Sequence, residues 1–218
     1  MAHASADAGL IGPNAIIRVA ETLRDVLGEE ATRLIFASAH LEPHLASPPT
    51  EMVPEADVGA LQTALFAGLE EGEAKKIAFE AGLRTGGYLL ANRIPKPVQA
   101  ILKVLPPSLA SRILLKAIKQ NSWTFAGTGT FTVKAGHPVI VSIASCPLCR
   151  GRHSDRSQCD YYAGTFQRLF QVLVARNSAV REISCEATGG SSCAFEISWS
   201  KPADSGGAQR VLTGKAQS

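Results

Sequence analysis

Three short stretches in the second half of the chain decide the fold: Cys159-Asp-Tyr-Tyr-Ala-Gly, Glu182-Ile-Ser-Cys185-Glu-Ala-Thr-Gly and Ser192-Cys193-Ala-Phe. The first stretch opens a segment whose apolar residues recur at helical spacing. The other two lie in segments 179–186 and 193–199, which have the composition of β-strands and are joined by a Gly/Ser-rich turn. The sequence therefore predicts a helix that is followed by a β-hairpin.

Four side chains of these stretches form a candidate metal site. Pairing of the two strands would bring the sulfurs of Cys185 and Cys193 close together. Cys159 lies at the start of the helix, where the helix dipole favours a thiolate, and Glu182 adds a carboxylate oxygen. Such a donor set suits tetrahedral zinc, so we expect a closed structural site that fastens the helix to the hairpin. The alternative is that the cysteines are small buried apolar residues and that Glu182 is a surface acid.

A second pair of cysteines competes for the metal. In Cys146-Pro-Leu-Cys149 a tight turn would present two thiols to one ion, with His153 nearby. The loop 146–158 is polar, so it also fits a solvated loop with incidental cysteines. A second metal, a redox pair and an exchange of ligands with Cys159 are the other interpretations of this pair.

The first half of the chain is predicted to be helical. Apolar residues recur at helical spacing over residues 13–28, 29–39, 58–69, 73–91, 98–105 and 109–118. Gly28 is a candidate helix stop, and the proline-rich segment 40–54 is a predicted loop. Gly82, Gly86 and Gly87 interrupt one helical segment and would allow close approach of another helix or of a flat ligand. The last two segments are predicted to form a cap or lid.

The character of the sequence changes at Ser122. Segments 123–133 and 138–143 are rich in β-branched and aromatic residues, which predicts another β-hairpin. Helices, hairpin, helix and hairpin in this order predict an α+β fold, in which helices pack on an antiparallel sheet. We expect one domain with a helical region at 13–120 and a hairpin-helix-hairpin core at 121–200, between flexible ends at 1–12 and 201–218.

Composition limits the possible functions. The 218 residues suffice for one core, and a net charge of +3, with basic residues scattered among acids, argues against nucleic acid as a partner. The sequence has no apolar run long enough to cross a bilayer and lacks the features of a secretory signal. We therefore expect a cytoplasmic protein, in which five cysteines between residues 146 and 193 favour metal ligation over disulfides.

Together, the three stretches quoted first resemble the 4-vinyl reductase domain. In phenol-sensing members of that family three cysteines and a glutamate hold zinc, so the resemblance implies this role for Cys159, Glu182, Cys185 and Cys193. It also implies a fold related to the ligand-binding domains of nitric-oxide-signalling and Golgi-transport proteins. The likeness extends over residues 10–199 to members that serve bacteriochlorophyll biosynthesis in photosynthetic bacteria, on the stretches Gly12-Pro-Asn-Ala-Ile-Ile-Arg, Arg93-Ile-Pro and Trp123-Thr-Phe-Ala-Gly-Thr-Gly.

The resemblance implies a role in that pathway in one of three forms. The first is a tetrapyrrole-binding protein that delivers a porphyrin or magnesium porphyrin to pathway enzymes, such as magnesium chelatase or the methyltransferase that follows it. Such a carrier could also attach peripherally to the photosynthetic membrane. The second form is an enzyme, a 4-vinyl reductase, although the sequence has neither a dinucleotide-binding G-x-G-x-x-G nor a Walker loop. The third is a homodimeric sensor or scaffold.

A flat tetrapyrrole requires an apolar slot with aromatic walls and a few polar groups for its carboxylates or its metal. The candidate walls are Trp123, Phe125, Phe131 and Tyr88. The candidate anchors for carboxylates are Arg84 and Arg93, and the candidate axial ligands are His40 and His44. Trp123 also falls where the phenol sensors place a tryptophan that faces the ligand, but a lone tryptophan there fits the core equally well.

Overall fold

Helices make up the first half of the chain and a sheet dominates the second half in the computed structural model, which describes residues 9–200. The first half contains β1 (Leu10–Ile11), α1 (Asn14–Ser38), α2 (Pro43–Ala46), β2 (Val53–Pro54), α3 (Glu55–Gly68), α4 (Glu71–Asn92), α5 (Lys96–Val104), α6 (Pro107–Gln120) and α7 (Trp123–Ala126). The second half contains β3 (Thr130–Lys134), β4 (Val139–Ala144), α8 (Asp160–Leu173), β5 (Ala179–Ser184) and β6 (Cys193–Ser198). The predicted flexible ends 1–8 and 201–218 lie outside the described residues.

The main sheet is antiparallel, with strand order β3-β4-β6-β5. Burial alternates along β4, where Val139, Val141 and Ile143 are buried and the residues between them are partly exposed. This alternation is expected for a strand with one face on the core. β4 pairs with β6 so that Ile143 lies opposite Cys193. The predicted α+β fold with an antiparallel sheet is therefore confirmed.

Helix α8 covers the buried face of the sheet with aromatic side chains. The ring of Phe166 lies 5.7 Å from that of Phe195 on β6, and Phe125 packs edge-on against Phe131 at 5.3 Å. Leu173 and Phe170 are also fully buried. Aromatic side chains bury much apolar area each, so this cluster forms a large part of the core between helix and sheet.

Glycines allow α4 to pack directly on α8. A methyl group added at Gly82 would overlap the backbone of Tyr161, and one added at Gly164 would overlap the backbone of Phe79. The side chains of Thr85 and Tyr161 share a hydrogen bond of 2.8 Å in this contact. Helix α4 is continuous through Gly82 and Gly86, so these glycines serve close helix packing rather than interrupt the helix.

Two predicted boundaries differ in the first half. Gly28 does not stop α1, which bends there because Gly28 adopts a φ of 86° and then continues to Ser38. The Thr32 hydroxyl donates a hydrogen bond of 2.8 Å to the carbonyl of Gly28 and supports the bend. β1, within the segment predicted to be flexible, pairs with β2, which lies within the predicted loop.

The prediction of a β-hairpin from residue 123 is wrong for its first part, since Trp123–Ala126 form the short helix α7. Two hydrogen bonds hold this turn of helix: the Tyr162 hydroxyl donates to the Phe125 carbonyl at 2.6 Å, and the Gly12 amide donates to the Thr124 carbonyl at 2.8 Å. The chain then turns at Gly127, with a φ of 56°, before β3 begins. Tertiary contacts therefore override the β-propensity of the sequence.

Candidate metal centre

The four residues of the predicted metal site come together where α8 begins. Cys159 immediately precedes α8, Cys193 begins β6, and Cys185 follows the end of β5. The Sγ atom of Cys159 lies 3.4 Å from that of Cys193 and 4.0 Å from that of Cys185. Cys185 and Cys193 are 3.9 Å apart. Because zinc binds thiolates at about 2.3 Å, two sulfurs on a tetrahedral ion lie about 3.8 Å apart, so this spacing fits zinc.

Glu182 supplies an oxygen without a hydrogen-bond partner at the same place. Its Oε2 atom accepts a hydrogen bond of 2.9 Å from the Cys159 amide, whereas Oε1 is buried with no partner among the described residues. Burial, reinforced by the nearby Cys185 thiolate, raises the pKa of Glu182 to about 9. A metal ion would supply the missing partner and favour the ionised carboxylate. The donor set therefore fits a bound cation.

Cys146 and Cys149 belong to the same cluster. The Cys146 sulfur lies 3.7 Å from that of Cys159, and the Cys149 sulfur lies 3.2 Å from that of Cys193 and 3.9 Å from that of Cys185. Both residues are at most 1% exposed. The interpretation as a solvated loop with incidental cysteines is thus wrong for this pair.

The turn that contains Cys146 and Cys149 is held by Glu186. Its carboxylate accepts hydrogen bonds from the amides of Ser145, at 2.6 Å, and Cys146, at 2.8 Å. The backbone amide of Glu186 in turn donates to the Cys193 sulfur at 3.4 Å. His153, which sequence analysis placed beside the pair, is exposed and belongs to neither donor set described next.

The cluster contains two overlapping sets of four possible metal ligands. In each set the ligand atoms lie within 4.8 Å of one another, and the sets are Cys146, Cys149, Cys159, Cys193 and Cys159, Glu182, Cys185, Cys193. Cys159 and Cys193 belong to both. The second set is the one that the sequence predicted. The first could be found only by knowing that β4 pairs with β6, which brings the residues after β4 to the start of β6.

The electrostatics of the cluster favour thiolates. The guanidinium of Arg152 donates to the Leu148 carbonyl at 2.9 Å and to the side chain of Gln158, and it lies over the Phe66 ring. Burial lowers the pKa of Arg152, but the Cys159 and Cys149 thiolates oppose that shift. Hydrogen bonding from the Cys146 thiol, and then from the other three thiols, lowers the pKa of Cys149. A thiolate at neutral pH is thus built into the cluster.

The structure brings together only two of the six predicted tetrapyrrole-contacting residues, Phe125 and Phe131. Trp123 is 62% exposed, and Arg93 is exposed at the end of α4. Tyr88 lies under the Arg18 guanidinium at 5.0 Å. Arg84 pairs with Asp25 at 2.5 Å. These placements put the six residues in several separate parts of the molecule.

A cleft that sequence analysis missed lies between the start of α6 and the turn from β3 to β4. It measures about 330 Å³, and its lining is mostly apolar. It contains one guanidinium and one imidazole, from Arg112 and His137. The His137 ring lies 4.5 Å from that of Trp199, which forms one wall. No sequence spacing joins these residues, because the three come from separate elements.

Comparison with known proteins places this architecture in a class. Residues 139–198, which include β4, α8, β5, β6 and all five cysteines, match the 4-vinyl reductase domain, the family of the sequence resemblance. Two solved structures share the fold along 88% of this chain: the Fe(II) unliganded H-NOX protein from K. algicida and a protein solved for "Probing the function of heme distortion in the H-NOX family". The match covers 98% and 96% of those chains, at TM-scores of 0.56 and 0.55 and sequence identities of 14% and 16%.

Two relatives are much closer in sequence, and both carry the name bacteriochlorophyll synthase 23 kDa chain. The protein from Cereibacter sphaeroides is 41% identical over 187 residues, which cover 86% of this chain and 89% of the relative. The protein from Rhodobacter capsulatus is 37% identical over 188 residues, which cover 86% of each chain. This chain belongs to the family of these bacteriochlorophyll synthase 23 kDa chains.

Proposed function

We propose that this protein takes part in bacteriochlorophyll biosynthesis by holding a magnesium porphyrin intermediate and delivering it to pathway enzymes. The relatives named bacteriochlorophyll synthase 23 kDa chain support the pathway. The H-NOX neighbour whose name mentions heme supports a porphyrin as a ligand that this fold can accommodate. The cleft beside α6 is the observation that carries the proposal, because it combines apolar walls with groups that suit a metalloporphyrin.

Each polar group of the cleft matches one part of such a ligand. The guanidinium of Arg112 can bind a propionate carboxylate through two parallel hydrogen bonds. The imidazole of His137 offers an axial ligand for the central metal. Trp199, Leu115 and Val139 supply the apolar lining that a flat macrocycle requires. A volume of about 330 Å³ lies near the lower end of ligand pockets, which suits the insertion of one edge of the macrocycle.

The metal in this proposal is a structural zinc ion rather than part of the reaction. When bound, zinc would link Cys159 at the start of α8 to the β5–β6 hairpin, through the donor set that includes Glu182. A site filled by four protein ligands leaves no open position for a substrate. Tetrapyrrole binding therefore belongs elsewhere, either in the cleft or at the aromatic residues that the sequence predicted.

A titration with magnesium protoporphyrin, followed by absorbance, tests this proposal. We expect saturable binding by the wild type and at least tenfold weaker binding by Arg112→Ala and His137→Ala. Added imidazole should restore the absorbance maximum in His137→Ala if the ring is an axial ligand. Arg33→Ala, on an exposed part of α1, is the control for a lost arginine.

The same titration separates the competing possibilities. A loss of affinity in Trp123→Ala and Phe131→Ala, with Arg112→Ala unaffected, would move the site to the residues that the sequence predicted. Loss of the vinyl group from a divinyl substrate in the presence of reduced nicotinamide would show a reductase instead of a carrier. No change in absorbance at any concentration would favour a sensor or scaffold.

A further inference from the structure

Helices α5 and α6 expose a row of apolar side chains. Five of the ten large apolar side chains that are exposed among the described residues lie on these two helices. They are Val98 (41% exposed), Ile101 (58%), Val104 (82%), Leu109 (44%) and Ile113 (41%), and we call them the α5–α6 face. Trp123, 62% exposed, follows shortly after the end of α6. An apolar patch of this kind usually marks an interaction surface.

The other sides of both helices hold them on the protein. Helix α5 buries Gln99, whose side-chain amide donates hydrogen bonds to the carbonyls of Leu90, at 2.5 Å, and Ile94, at 2.8 Å. Helix α6 buries Leu114 and Leu115. The apolar residues of the α5–α6 face are therefore not core residues in a displaced helix, since the core-facing positions are already filled.

The surroundings of the face are strongly basic. Lysine and arginine side chains on the two helices are all exposed, and none forms an ion pair within residues 9–200: Lys96, Lys103, Arg112, Lys116 and Lys119. Residues 81–154 contain ten lysines and arginines and no aspartate or glutamate, although the whole chain carries only +3. The expectation that basic residues are scattered among acids is thus wrong for this third of the chain.

We infer that the α5–α6 face docks on the surface of a membrane that contains anionic lipids. Short helices with exposed aliphatic residues and flanking lysines lie in the interface plane, with the apolar side chains among the acyl chains and the cations at the headgroups. Each lysine or arginine near an anionic surface adds to this attraction. No helix among the described residues is long and apolar enough to cross a membrane, so the contact would be peripheral.

Charge argues against a second copy of this chain as the occupant. A twofold dimer through the α5–α6 face would place the same basic residues of both copies around one interface, where like charges repel. An anionic bilayer has the complementary charge and also accepts apolar side chains. The inference rests on this surface alone and is independent of tetrapyrrole binding. Arg112 nevertheless belongs to both regions, so the mouth of the cleft would lie beside the lipid surface.

Cosedimentation with vesicles tests the inference. We expect the wild type to bind vesicles of phosphatidylcholine with phosphatidylglycerol at least tenfold more tightly than vesicles of phosphatidylcholine alone, and to be released by added salt. The double variant Lys103→Glu and Val104→Asp should lose at least tenfold in affinity. The control, Arg33→Glu and Leu34→Asp, changes a neighbouring exposed cation and aliphatic side chain on α1, and it should bind like the wild type.

Fluorescence of the wild type gives a readout that no substitution can disturb. The chain has two tryptophans, and Trp199 is only 8% exposed, so a blue shift on adding anionic vesicles would report on Trp123. Absence of vesicle binding by the wild type would overturn the inference. Equal loss in both double variants would overturn it as well, as would binding only to an acidic protein partner.

Discussion

Cys159 and Cys193 differ from the other four donors of the metal centre because they belong to both possible donor sets. Their sulfurs are 3.4 Å apart, and both residues are fully buried. Each of the remaining donors, Cys146, Cys149, Glu182 and Cys185, belongs to one set only. Loss of one of these leaves a complete set of four, whereas loss of a shared cysteine leaves three ligands in both sets.

This difference predicts how single substitutions affect zinc binding. Cys146→Ser should retain one zinc ion per chain, whereas Cys159→Ser should lose it together with several kcal/mol of free energy of unfolding. Metal analysis of purified protein and thermal unfolding measure both effects. Retention of zinc by Cys159→Ser would mean that the shared cysteine is not a ligand. Two zinc ions per wild-type chain would mean that both sets are occupied together.

The raised pKa of Glu182 predicts how the metal-free protein responds to pH. In the folded state this pKa is about 9, against 4.5 for a free glutamate, so the folded state holds the proton more tightly than the unfolded state. Its contribution to stability is complete below pH 4.5 and is lost as pH rises towards 9. Asp160, whose pKa burial raises to about 6, adds the same trend over a narrower range.

Thermal unfolding of the metal-free protein between pH 5 and pH 9 should therefore show a falling melting temperature. In Glu182→Gln, which cannot ionise, the fall should be smaller. In the zinc-loaded protein the trend should reverse, because the metal binds ionised carboxylate and thiolates. A melting temperature of the metal-free wild type that rises over this range would contradict the assignment.

At the scale of elements, glycine-mediated packing of α4 on α8 makes a prediction about size. Gly82→Ala and Gly164→Ala each place a methyl group on the backbone of the opposite helix, so each should destabilise the protein by about 1–3 kcal/mol or more. Gly87 also lies on α4, but a methyl group added there would meet nothing within 4 Å. Gly87→Ala should be neutral or stabilise the helix by up to about 1 kcal/mol. Equal effects in denaturant unfolding would show that α4 and α8 do not pack closely.

The elements that could be predicted from sequence are those whose pattern is local. The period of α8 and the alternation in β5 and β6 are read directly from neighbouring residues, and they were enough to place Cys159, Cys185 and Cys193 in one site. The pairing of β4 with β6 is not local, and without it the turn at Cys146 could not be assigned to the cluster. Helix α7 was missed for a similar reason, because its hydrogen bonds come from Gly12 and Tyr162.

At the scale of the whole molecule, α8 joins the helical half to the sheet. Its glycine contact faces α4, and its aromatic residues face β6. Its first turn follows Cys159, and the metal centre lies there. The loss of the metal would therefore loosen the β5–β6 hairpin and the start of the helix that supports α4, so both halves should be affected together.

This connection predicts that unfolding is a single cooperative transition with or without metal. Removal of zinc by a chelator should lower the melting temperature, while the transitions seen by far-ultraviolet circular dichroism and by tryptophan fluorescence stay coincident. The first signal is dominated by the helical half, and the second includes Trp199, which is buried at the end of the sheet. Since Gly82→Ala weakens the link between α4 and α8 without touching the metal, it should separate the two transitions more than chelation does. Two well-separated transitions in the metal-free wild type would show that the helical half folds independently of α8, and the chain would then consist of two units.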